Sequence, residues 1–179
     1  GPDCVAEGAL ALVKSEPRFA VALEQVGTLP LRLRGEGFVA LRDAIVGQQV
    51  SVASAPAIRR KLTAAGLTGP RQLKAATDLD LRACGLSAAK MRYLRALAGS
   101  GIRYKDPRDR PSPEVIGILT EVPGIGRWTA EIYLMFSLGR ADVFAAGDLA
   151  LQESARMLFA RPDRPSEAEL RVMAEAWSP

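Results

Sequence analysis

The chain has 179 residues, 48% hydrophobic and 25% charged, and its 24 Lys+Arg against 20 Asp+Glu give a formal net charge of +4. That length suits one good-sized domain or two small lobes sharing a core, and the mild positive excess fits a polyanionic partner. The chain has no His, which excludes Ser-His-Asp and Cys-His catalysis and argues against a typical zinc catalytic site.

No apolar stretch approaches the roughly 20 residues of a membrane span, and no basic segment followed by an apolar core marks export. Cys4 and Cys84 lack metal-ligand spacing, so a reduced, cytoplasmic protein without membrane contact is expected.

Strand signals are nearly absent, while helix punctuation recurs. Residues 5–14 and 18–26 read as two helices separated by Glu16-Pro17. An ordered loop over 27–36 follows. Phe38, Leu41, Ile45 and Val46 recur at helical spacing, predicting a helix over 37–47. Gly47-Gln48-Gln49-Val50 interrupts it, and Ser51 is the candidate cap of a helix to about residue 65, with Pro56 in its second turn. Short helices are expected over 70–76 and 78–83. Gly85 stops the second, and Ser87 caps a helix over 88–98.

Residues 99–113 form one long polar connection. Ser112 is the candidate cap for a helix over 113–121, with Pro113 at its tolerated first position. The pattern ends with helices over 127–138, from Asp148 to about 159, and from Ser166 to about 177. The class is all-α.

Three features carry chemistry. The first is Val122-Pro123-Gly124-Ile125-Gly126, a tight hairpin between two helices. Glycines let its backbone approach a partner, and the N–H groups of Gly124, Gly126 and Arg127 at a helix start can face a phosphate. Carbonyls inside such a turn can hold a monovalent cation. The other reading is a packing corner with no ligand. Second, Trp128 follows at once, on a helix that is apolar nearly all round; it is either core or a platform for a base turned out of a duplex, preferentially a cationic one. Third, Asp148 is the candidate cap of the last-but-one helix and can serve in the same position as an anion that stabilises a sugar cation or orients water. Asp142 is its nearest rival. Gln48 and Gln49 are either a polar loop tip or amides that fill the gap left by an extruded base.

Val-Pro-Gly-Ile-Gly-Arg-Trp-Thr-Ala-Glu at 122–131, Asp-Val-Phe-Ala-Ala-Gly-Asp-Leu-Ala-Leu-Gln at 142–152 and Ala-Ile-Val-Gly-Gln-Gln-Val-Ser at 44–51 together resemble the helix-hairpin-helix DNA glycosylases. The branch they resemble is the AlkA-like DNA-3-methyladenine glycosylase II type, over about residues 30–177. The resemblance implies a two-lobed helical fold with the active site in an interlobe cleft, one lobe spanning about 37–110 and the other 1–36 with 111–179.

It also implies residue roles. Asp148 matches the catalytic aspartate, and Trp128, Ile132, Tyr133 and Leu149 fall at the base pocket. Gln49, with Gln48 beside it, matches the wedge that enters the duplex. Gly124, Gly126, Arg127 and Thr129 match the phosphate grip. The main-chain carbonyls of Thr120, Val122 and Ile125 match positions that bind Na⁺ or K⁺; no other cofactor is implied.

Where related strand-cutting enzymes carry a Schiff-base Lys, this chain has Trp128, which implies a glycosylase without lyase activity. Two Cys cannot supply a four-Cys iron–sulfur loop. The pocket position often held by Tyr is Ile132, with Tyr133 adjacent.

The expected function is therefore hydrolysis of the N-glycosidic bond of alkylated purines, 3-methyladenine and 7-methylguanine, in duplex DNA, by a monomer in base excision repair. The alternatives are the same fold acting on uracil or hypoxanthine, a non-catalytic DNA-binding module, and a helical interaction scaffold.

Overall fold

Capping side chains and prolines set most of the helix boundaries. The computed structural model describes residues 1–51, 53–104 and 108–178, and every regular element among them is helical. In chain order these are α1 (Pro2–Ser15), α2 (Arg18–Val26), α3 (Phe38–Gly47), α4 (Ser54–Ala64), α5 (Pro70–Ala75), α6 (Asp78–Ala83), α7 (Ala88–Gly99), α8 (Ser112–Thr120), α9 (Arg127–Phe136), α10 (Leu149–Leu158) and α11 (Glu167–Glu175). Within the polar connection at 99–113, residues 105–107 lie outside the described residues. No described helix is long and apolar enough to cross a membrane.

Ser87 accepts the Lys90 N–H and caps α7. Thr77 with Asp80 and Ser166 with Glu169 form capping boxes at α6 and α11.

Three starts differ from expectation. Pro2 occupies a first-turn position, so α1 begins at 2 rather than 5. The Ser51 hydroxyl does accept the Ser54 N–H at 3.1 Å, but α4 begins only at Ser54. Pro56 therefore sits in its first turn, where no intrahelical N–H is needed. Ser112 lies inside α8, whose N-cap is Pro111.

The chain divides into two units, Arg34–Leu138 and Gly1–Leu33 with Gly139–Pro179. In the first, α3 packs on α4, α7 and α9, α5 packs on α7, and α8 packs on α9. Leu41, Ile45, Leu62, Leu73, Leu81, Leu94, Leu97, Leu119 and Leu134 are fully buried there, each stabilising by about 1.5–3 kcal/mol. The sequence expectation placed 111–138 with the N-terminal segment. Instead α8 and α9 fall with α3–α7, held by three bonds to earlier residues: the Arg34 N–H donates to the Phe136 carbonyl at 2.7 Å, the Gly37 N–H to the Tyr133 hydroxyl at 2.9 Å, and Gln48 Nε2 to the Gly124 carbonyl at 2.8 Å.

The second unit holds α1, α2, α10 and α11. Its buried centre is Ala146, Ala155 and Leu170, packed by Phe144, Leu151, Phe159, Met173 and Trp177. Trp177 stacks on Phe159 at 5.5 Å and meets Phe19 and Phe144 edge-on. Helix α1 buries none of its residues, and an apolar cavity of about 590 Å³ lies among α1, α2 and this aromatic group.

Candidate active site

Helix α3 ends where its hydrophobic period runs out, at Gly47. Gln48 takes extended angles, and Gln49 adopts a left-handed φ of +51°, which costs about 1–2 kcal/mol in a residue with a Cβ. The two amides part company there. Gln48 reaches the hairpin carbonyl of Gly124, while Gln49 is exposed. Its strained backbone and exposed side chain distinguish Gln49 from its neighbour.

The hairpin itself turns at Gly124, with φ of +92°. A Cβ at Gly124 would stand 2.3 Å from Tyr93 Cγ, so glycine is needed there for both angle and space. Val122 and Ile125 are buried and anchor the turn, and the Ile125 N–H donates to the Val122 carbonyl at 3.0 Å. Gly126 is the N-cap of α9 and supplies no capping side chain. Arg127 donates from Nε to Oε1 of buried Glu131 at 3.0 Å, four residues on. Thr129, expected at a phosphate, is instead buried at 6% exposure.

Trp128 is 43% exposed, so it is not a core residue. It lines a cavity of about 770 Å³ with Ile132, Tyr133, Thr129, Gln48 and Gln49. Tyr133 is buried, and burial raises its phenol pKa while the hydrogen bond from Gly37 N–H opposes the rise. It remains a neutral phenol in the wall.

Sequence reasoning missed the polar members of this cavity. Asp43 and Arg59 line it, with Asp43 bridged to buried Arg42 at 2.7 Å and to Arg59 at 3.7 Å. Arg42 sits beside Leu41 and Ile45 on the buried side of α3, and a charge among such neighbours was the signal available.

A smaller cavity of about 430 Å³ runs under the hairpin. Thr120, Val122, Gly124, Ile125 and Gly126 line it, together with Gln48, Gln49, Ser87, Lys90 and Tyr93. No group of His, Cys, Asp or Glu among the described residues could hold a metal ion.

In the other unit, Asp148 is the N-cap of α10. Its Oδ1 accepts the N–H groups of Ala150 at 2.9 Å and Leu151 at 3.4 Å, a cap contributing about 1 kcal/mol. The Asp148 N–H is itself tied to the Ala145 carbonyl at 2.9 Å, and Gln152 Nε2 to the Ala146 carbonyl at 2.9 Å. The carboxylate is thus fixed by backbone on both sides. Leu149, expected in the base pocket, is 62% exposed at the first position of α10. Asp142 accepts a hydrogen bond from Ser178, a structural tie that weakens its claim as the rival carboxylate.

A protein-family model matches the stretch of this chain that holds the hairpin, the half-exposed indole and the capped aspartate. It is the HhH-GPD superfamily of base excision DNA repair proteins, and it covers residues 43–179. The chain belongs to this family.

DNA-3-methyladenine glycosylase 1 of Schizosaccharomyces pombe is 33% identical over 156 residues, covering 80% of this chain and 67% of that protein. The chain spans about half the length of several other curated relatives. Among solved structures, a 3-methyladenine DNA glycosylase of S. pombe in complex with abasic DNA superposes with TM-score 0.84 at 28% identity, covering 97% of this chain and 90% of that one. A DNA-3-methyladenine glycosidase of Bacillus halodurans gives TM-score 0.84 at 32% identity, covering 96% and 82%.

Proposed function

We propose that this family member is a monofunctional DNA-3-methyladenine glycosylase, hydrolysing the N-glycosidic bond of 3-methyladenine and 7-methylguanine in damaged duplex DNA. The observation that carries the reading is the meeting of Gln48 and Gln49 with Trp128, Ile132 and Tyr133, some eighty residues apart in sequence, around one cavity.

Alkylation at N3 or N7 places a positive charge on the purine. When the C1′–N bond breaks, its electron pair neutralises that base, which needs no proton donor to leave. This suits a chain without His. The Trp128 indole offers a π-face to the electron-poor ring, worth about 0.5–2 kcal/mol. The Asp148 anion stabilises the oxocarbenium ion left on the sugar, and water adds at C1′ with loss of a proton to give an abasic site. Gln49 occupies the space vacated by the base. Trp128 has no amine for a Schiff base, so the strand stays intact.

The hairpin N–H groups from Gly124 to Arg127 grip a phosphate. Thr120, Val122 and Ile125 would hold Na⁺ or K⁺ through main-chain carbonyls, and the ion supplies charge that draws a phosphate oxygen.

The test is release of free base from duplexes carrying 7-methylguanine or 3-methyladenine, by wild type and by Asp148→Asn. Asn caps helices as well as Asp does, so fold and DNA affinity should survive while excision falls by at least a hundredfold. Strand breaks should appear only after alkali. Release by the variant at the wild-type rate would remove Asp148 from the chemistry, and tight binding without release by wild type would assign the site to another lesion.

A further inference from the structure

We propose that Lys90 and Tyr93 of α7 are positioning residues that lock the Gln48–Gln49 bend to the 122–126 hairpin, so that gripping the backbone and displacing the base act as one device. The proposal rests on the glycosylase reading above.

Lys90 is only 7% exposed. Burying an ammonium is costly unless it is bonded, and here Nζ donates to the Val46 carbonyl at 2.7 Å. That carbonyl lies in the last turn of α3, the negative end of the helix dipole. Desolvation lowers the pKa of Lys90 below the usual lysine value. A methionine of similar length would fill the space with no ion to desolvate. What the ammonium adds is a directed bond to the turn that carries the two glutamines.

One helical turn further along α7, Tyr93 lies directly beneath Gly124, closer than any Cβ would permit. Gln48 then joins the bend to the Gly124 carbonyl at 2.8 Å. The links close a ring: Val46 to Lys90, along α7 to Tyr93, across to Gly124, and back through Gln48. Gln49 projects from this ring with its left-handed φ and exposed side chain. A side chain that enters a base stack is pushed back by the stack, and the ring gives Gln49 a support that cannot recoil without moving the phosphate grip. Lys90 does not need to touch DNA to do this.

Lys90→Met removes the directed bond and keeps the volume. The experiment measures single-turnover excision of 7-methylguanine placed either in a fully paired duplex or in an unpaired bulge, where displacement costs little. It also follows the fluorescence of 2-aminopurine opposite an abasic analogue on binding. We expect Lys90→Met to bind the abasic-analogue duplex nearly as wild type does, lose about tenfold or more on the paired lesion, and lose little on the bulged one. Lys90→Arg should recover part of the rate.

Equal loss on both substrates would mean a merely structural lysine and overturn the proposal, as would an unchanged rate on the paired lesion. If Lys90→Met does not fold, Tyr93→Leu, at the other positioning residue, carries the same comparison. If wild type releases no methylated base, the alkylpurine substrate proposed above fails. The fluorescence difference between wild type and Lys90→Met still decides the coupling.

Discussion

The unit spanning Arg34–Leu138 contains two helix-to-helix corners with nearly the same backbone, and only one of them carries a capping side chain. Gly85 has φ of +88° and Gly124 has φ of +92°. Leu86 and Ile125 follow, both buried. Ser87 at φ −70°, ψ 159° and Gly126 at φ −85°, ψ 171° then start α7 and α9. At the first corner the Ser87 hydroxyl satisfies the Lys90 N–H. At the second the N-cap has no side chain. The same turn is thus capped by its own side chain in one place and by none in the other. The difference is one hydroxyl.

The largest expected effect tests the spatial side of this contrast. Gly124→Ala adds a Cβ into the Tyr93 ring as well as straining φ, and should cost about 3 kcal/mol or more. Gly85→Ala meets nothing nearer than Ile58 Cγ1 at 3.5 Å, and should cost about 1 kcal/mol from backbone strain alone. Urea unfolding of the two variants separates them; equal losses would mean that Tyr93 yields freely.

Next in size, Ser87→Ala should destabilise by about 1 kcal/mol through loss of the α7 cap, leaving DNA affinity at constant salt unchanged. The smallest effect on stability should come from Gly126→Ser, which gives α9 the cap that α7 has. The site is sterically open, with nothing within 4 Å of an added Cβ. Stability should shift by only a few tenths of a kcal/mol, while affinity for an abasic-analogue duplex falls severalfold as the hydroxyl competes for the amides. Undiminished affinity would show that α9 does not bind the phosphate through its start.

The helices were legible because their signals are local. Ser87, Asp148 and Ser166 each cap the helix expected of them, and Gly85 stops α6. Pro111 and Ser112 show the limit: two adjacent residues compete for one N-cap, and the extended backbone of Pro111 takes it. Of the candidate site, the hairpin, Trp128 and the Asp148 cap could be read because each is a short motif. The division of labour between Gln48 and Gln49 could not, since it depends on a carbonyl seventy-six residues away. Nor could the burial of Lys90, although its i, i+4, i+7 relation to Leu94 and Leu97 places it on the apolar face of α7.

The bond from the Arg34 N–H to the Phe136 carbonyl bears on how the chain is assembled during synthesis. The unit of α3–α9 is continuous in sequence and can fold as soon as it has been made. Its partner unit is split, with α1 and α2 emerging early and α10 and α11 last. A folded insert whose two ends are pinned by a 2.7 Å hydrogen bond spares the split unit most of the entropy of closing a long loop. The helix that carries Asp148 thus joins α2 last, and a ribosome-stalled chain lacking it should already protect the amides of α7 from exchange.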